Sequence, residues 1–220
     1  MRKPDIMKVI NTIEFAPSDY AKNNYEFPDN KQENQEDLRL GYWKKSLADS
    51  GITDIEPIEK TSWLVDVEKI SDTTLKILVE NELKDVDTNN FEEELIALSG
   101  GIVISDNNKI LITTNCCGDL TDLANWETVF QDNSNEWTQL WIGHPFVYYR
   151  NRNNVVEFSN ETESNADEYT VVVNTISRDW LKSEIDNIRI AQNALCTRIE
   201  KILAEKNTNN RKEIAKILTG

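Results

Sequence analysis

The amino-acid sequence predicts an α+β fold: one domain spanning residues 1–220, with a mainly antiparallel sheet flanked by helices and a long C-terminal amphipathic helix. Two observations predict it. Strand-like runs with turn residues between them crowd the middle of the chain, and helix-period runs lie toward either end. A chain of 220 residues with 39% hydrophobic and 29% charged residues is long and apolar enough to bury a sizeable core.

Taken in order, Lys8–Phe15 reads as a strand. Residues 16–35, with two prolines and many polar side chains, read as a polar loop or arm. A helix over Asp37–Asp49 puts Leu40, Trp43 and Leu47 on one face, and Gly51 stops it. Ser62–Val67 alternates Trp63, Val65 and Val67, a strand pattern. Ser71 or Asp72 caps a helix that runs to Leu83 with Leu75, Leu78 and Val79 as its stripe.

Phe91–Leu98 is equally readable as helix or strand. After it, Gly100–Ile104, a turn at Asp106–Asn107–Asn108 and a return over Lys109–Thr114 make the strongest hairpin. Trp137–Ile142, Phe146–Arg150 and Val155–Ser159 are further strands, broken at Gly143–His144–Pro145 and turning at Asn151–Asn154. An acidic loop, Asn160–Glu168, leads to a last strand at Tyr169–Asn174. The closing helix starts at Ser177 and ends near Glu205; Leu181, Ile185, Ile188, Leu195, Ile199 and Ile202 form its stripe and Gln192 interrupts it. That stripe suits packing across the sheet or, as an alternative, self-association of a scaffold protein. Residues 207–220 read as a tail or short helix.

The stretch TTNCCGDLTDLANW, Thr113–Trp126, holds two of the three cysteines. Asp119 stands where an N-cap belongs, Asp122 at the positive end of the following helix, and Gly118 where a turn needs freedom. Cys116 and Cys117 read as small buried hydrophobes closing this joint. A disulfide between such neighbours would be strained, because their Cβ atoms normally diverge. The alternative is a thiol-dependent enzyme in which Cys116 or Cys117 is the nucleophile and His144, the only histidine, its base, oriented by Asp119 or Asp122. Adjacent cysteines lack zinc-loop spacing, so no metal or other cofactor is expected.

The net charge of −15 disfavours nucleic acid and anionic membranes as partners and favours a basic protein. No apolar run is long enough for a signal peptide or membrane span, and three cysteines cannot build a secreted disulfide framework, so a cytoplasmic protein is expected. Trp126, Trp137 and Trp141 cluster near the joint, followed by Tyr148 and Tyr149; at these spacings most of them read as core or core edge, and Asp119, Asp122, Trp126 and Trp137 are the partner-binding candidates.

The order of marks from Leu98 to Ser159, LSGGIVI, ITTNCCGDLTDLANW, LWIGHPFVYYRN and a closing strand, resembles bacterial immunity proteins of the SUKH-like and related grouping. The Leu-Pro-led aromatic segment of many such sequences is absent. The resemblance implies a non-enzymatic binding protein that blocks a toxin or effector domain by occlusion, without catalytic residues.

Overall fold

A computed structural model describes residues 7–28, 34–107, 109–164 and 170–220. The fold is α+β, with two four-stranded sheets and a long helix near the C-terminus. The strands are β1 (Met7–Glu14), β2 (Leu64–Asp66), β3 (Gly100–Asp106), β4 (Lys109–Ile112), β5 (Thr138–Leu140), β6 (Val147–Arg152), β7 (Val155–Ser159) and β8 (Val172–Ser177). The α-helices are α1 (Pro17–Tyr20), α2 (Gln35–Ala48), α3 (Asp72–Glu82), α4 (Leu123–Thr128), α5 (Arg178–Glu205) and α6 (Arg211–Thr219). One sheet runs β2-β1-β3-β4 and the other β5-β6-β7-β8, and every register resolved in them is antiparallel.

Contacts gather into two compact units, and each is built from separate pieces of the chain. The first comprises residues 1–11, 97–194 and 219–220. Its core is an apolar cluster in which Ile102 and Ile104 of β3, Leu123 and Trp126 of α4, Val147 and Tyr149 of β6 and Phe158 of β7 meet Leu181, Ile185 and Ile188 of α5. Polar ties fix the helices to this cluster. Arg189 grips Glu127 with two bonds of 2.8 and 2.9 Å, and Arg178 donates to the Phe130 carbonyl at 2.6 Å and to Asn151 at 3.2 Å. Asn151 in turn donates to the carbonyls of Val129 and Asp132, which closes the end of α4 against β6.

The second unit comprises residues 12–96 and 195–218. Thr12, Ile13 and Glu14 of β1 pair with Asp66, Val65 and Leu64 of β2. Trp43 of α2 is buried and donates its indole N–H to the Phe15 carbonyl at 2.8 Å. Ser71 caps α3 through the Thr74 amide, and Leu75, Leu78 and Val79 are buried as its stripe requires. Arg198 of α5 bonds Asp72 and the Ile70 carbonyl.

Several expectations change in detail. Phe91–Leu98 is neither helix nor strand but a turn-rich link whose Phe91, Leu95 and Leu98 are buried. The polar segment after β1 contains α1 and is tied down: the Asp49 carboxylate accepts from the amides of Lys22 and Asn23 and from the Tyr25 hydroxyl. Residues 29–33 of that segment lie outside the described residues, as do Asn108 of the hairpin turn, 165–168 of the acidic loop and Tyr169 of the last strand. That strand is displaced toward the C-terminus, to Val172–Ser177. The segment after α5 folds as α6, with Ile214, Ala215 and Leu218 buried. All six apolar residues of the α5 stripe are buried within the chain, which leaves that face unavailable for self-association.

Candidate functional site

The joint after β4 is held by backbone pairing. The Asn115 amide donates to the Ile142 carbonyl at 2.8 Å, and the His144 amide to the Cys116 carbonyl at 3.0 Å. Cys116 and His144 therefore form an antiparallel bridge. A second bridge joins Ser99 and Asp119, with the Leu120 amide bonded to the Leu98 carbonyl. Such close approach requires glycine. Gly143 has φ +98°, and a Cβ there would come within 2.5 Å of the Cys116 carbonyl oxygen. A Cβ on Gly118 would collide with the Thr114 hydroxyl.

The chain turn throws both thiols outward. Cys116 and Cys117 are exposed, which corrects the expectation that they are buried: the joint is closed by backbone hydrogen bonds and not by the cysteine side chains. Cys117 lies at φ +69°, and its Sγ is 3.5 Å from that of Cys116. A hydrogen bond with the Cys116 sulfur, and then the charge of that sulfur, push the Cys117 thiol above its ordinary pKa.

Directly opposed residues on antiparallel backbone carry their side chains on one face, so Cys116 and His144 are cross-strand neighbours. The imidazole is half-exposed. Its Nε2 lies 2.8 Å from the Glu163 carboxylate, and its ring meets Phe146 edge-on at 4.8 Å. The peptide from His144 to Pro145 is cis. Trp141 tilts onto the same Phe146 at 5.8 Å and is 47% exposed. The result is a continuous shelf of Trp141, Phe146 and His144 beside the two thiols.

Behind this shelf stands the cap of the next helix. Asp119 accepts from the Thr121 amide at 2.7 Å, and the Asp119 amide donates to Asp122 at 3.2 Å, a reciprocal capping box. Asn125 links the cap to the shelf by donating to Asp122 and to the Trp141 carbonyl, both at 3.0 Å. Burial, as the largest cause, pushes the Asp122 carboxyl up to about 6, aided by the Asp119 charge and opposed by the bonds from the Asp119 amide and Asn125.

The structure thus pairs Cys116 with His144 through the backbone, leaves Cys117 exposed next to Cys116, and gives the histidine a different carboxylate partner. Glu163 holds the imidazole, whereas Asp119 and Asp122 are engaged in the helix cap. Of the partner-binding candidates, Asp122 and Trp126 are buried and unavailable to a partner: Trp126 is fully enclosed against Phe158, 5.8 Å away. Trp137 is half-covered by the Arg150 guanidinium, 4.4 Å above its ring. Asp119 remains partly exposed.

Trp141 is the exposed aromatic that sequence reasoning passed over as a site residue. The signal was present, since Leu140 and Ile142 are the apolar alternates and put Trp141 on the opposite face. Among the described residues no cluster of histidine, cysteine and carboxylate side chains is placed to hold a metal ion, and no helix is long and apolar enough to cross a membrane. No protein-family model, curated protein or solved structure matches this chain.

Proposed function

We propose that the chain is a non-enzymatic, cytoplasmic binding protein, an immunity-type inhibitor that occludes a basic toxin or effector domain. The observation that carries the reading is the half-exposed Trp141 seated on Phe146, an aromatic anchor on a chain of net charge −15. Glu163 holds the imidazole that meets Phe146, and its exposed carboxylate can steer a basic partner without being desolvated. The order of marks between Leu98 and Ser159 supports the immunity class.

The test is titration with a basic toxin-type domain, found by looking for a toxin-like open reading frame next to the gene, by stopped flow and calorimetry. A one-to-one complex is expected, with an association rate that falls steeply with salt and an affinity that falls less. Trp141→Ala is expected to speed dissociation. A complex whose association rate ignores salt and whose lifetime ignores Trp141 would overturn the reading.

A second reading, a thiol-dependent enzyme, is favoured by the Cys116–His144 bridge with Glu163 on the imidazole. It requires turnover of a small acyl substrate that His144→Ala abolishes with the fold intact.

A further inference from the structure

We propose that Cys116 and Cys117 form a vicinal dithiol that undergoes two-electron exchange with small disulfides, closing reversibly to an intramolecular disulfide. The inference stands apart from the binding reading, since it rests on the two sulfurs alone. Neighbouring cysteines on extended backbone hold their side chains apart; here the left-handed turn at Cys117 brings Sγ to within 3.5 Å of Sγ. A disulfide bond is about 2.05 Å long, so closure requires the sulfurs to approach by roughly 1.5 Å. The proposed closure takes that movement from side-chain torsions and the turn at Cys117, against the strain that a disulfide between neighbours carries.

Access is open as well. Both thiols are exposed, and a small disulfide reaches either without unfolding the joint. The backbone that frames them is pinned at the Asn115, Gly118 and His144 amides, so the two sulfurs are held near each other on average. Cys196, the remaining cysteine, is a free thiol in partial exposure on α5 and serves as an internal control.

The chemistry balances as follows. The Cys116 thiolate attacks one sulfur of a low-molecular disulfide such as glutathione disulfide. The S–S bond of the reagent breaks, and the first glutathione leaves as thiolate and takes up a proton. Cys117 then loses its proton to solvent and attacks the Cys116 sulfur of the mixed disulfide, expelling the second glutathione. The chain loses two electrons and two protons; the small disulfide gains both and becomes two thiols. While Cys116 is free, the hydrogen bond with its sulfur keeps the proton on Cys117, which leaves Cys116 to make the first attack.

The experiment exposes the full-length, reduced protein to glutathione disulfide under native conditions, quenches in acid, alkylates in denaturant and maps the peptides by mass. The expected result is a Cys116–Cys117 peptide that has lost two hydrogens and carries neither glutathione nor alkyl label, while Cys196 is alkylated. Cys117→Ser should instead accumulate a glutathione adduct on Cys116, at about ten times the occupancy seen in the native sequence. The reduced native chain should also bind one phenylarsine oxide across both sulfurs, and lose that binding in either serine variant. Circular dichroism checks that the variants are folded. The proposal is overturned if the native chain keeps both thiols alkylatable, or accumulates the same mixed disulfide as Cys117→Ser.

Discussion

Asn11 donates its side-chain amide to Gln192 at 3.3 Å, although 181 residues separate them. Gln192 is 2% exposed, and its own amide donates to the Leu120 carbonyl at 3.0 Å and to the Thr219 carbonyl. The polar break in the apolar stripe of α5 is therefore the connector of three chain segments to the helix. Replacing it with leucine completes the stripe by pattern yet strands buried polar atoms on every side. Gln192→Leu is expected to lower unfolding free energy by about 1–3 kcal/mol. Urea denaturation measures this, and an unchanged midpoint would show that water replaces the lost bonds.

Gly143 and Gly41 make a matched pair of tests. A Cβ at Gly143 meets carbonyl oxygens of Asn115 and Cys116 at 2.6 and 2.5 Å, and its φ of +98° is one that L-residues avoid. Gly143→Ala is expected to cost more than about 1 kcal/mol, because strain and overlap add. At Gly41, inside α2, a Cβ meets nothing within 4 Å. Gly41→Ala is expected to stabilise by about 0.4–1 kcal/mol. Thermal melts of the two variants should shift in opposite directions.

Tryptophan substitutions separate core from surface. Trp126 is fully buried in the cluster of the first unit, so Trp126→Ala is expected to cost about 3–5 kcal/mol. Trp141 is 47% exposed, and Trp141→Ala is expected to change stability by no more than about 1 kcal/mol. Denaturant titration followed by circular dichroism reads both. Equal losses would mean that Trp141 is structural.

Asp122 gives a pH test with a definite sign. Its carboxyl is raised from 3.8 to about 6 in the folded chain, so the folded state binds the extra proton between those values. The stabilising contribution is therefore full below 3.8 and is lost as pH rises toward 6 and beyond. Asp122→Asn removes that titration while keeping an oxygen for the Asp119 amide. The stability of the native chain relative to Asp122→Asn should fall across this window and level off above it, as measured by urea midpoints at stepped pH. A difference that rises with pH would reverse the assignment.

Local signals made much of the fold legible. Ser71 and the Leu75–Leu78–Val79 stripe announce α3, and Asp119 announces its cap, because each depends on neighbours within one turn. What was illegible depends on distant residues. The polar segment after β1 has a disordered composition, but Asp49, more than twenty residues away, supplies its hydrogen bonds. The pairing of Cys116 with the distant His144 is likewise stated by no local pattern, and neither is the exposure of the two thiols. For Trp126 the spacing, which reads as core, and the chemistry, which reads as an interface anchor, point different ways, and its complete burial follows the spacing.

The interleaving of the two units along the chain has a consequence for biosynthesis. Residues 12–96 leave the ribosome long before 195–218, the segment that completes their unit. At about 5–20 residues per second, that interval lasts on the order of ten seconds. During this time Arg198, which bonds Asp72 at the start of α3 and the Ile70 carbonyl in the finished chain, has not yet been made. The unit that residues 12–96 begin is therefore finished only after nearly all of the chain has been made, so its folding is largely post-translational.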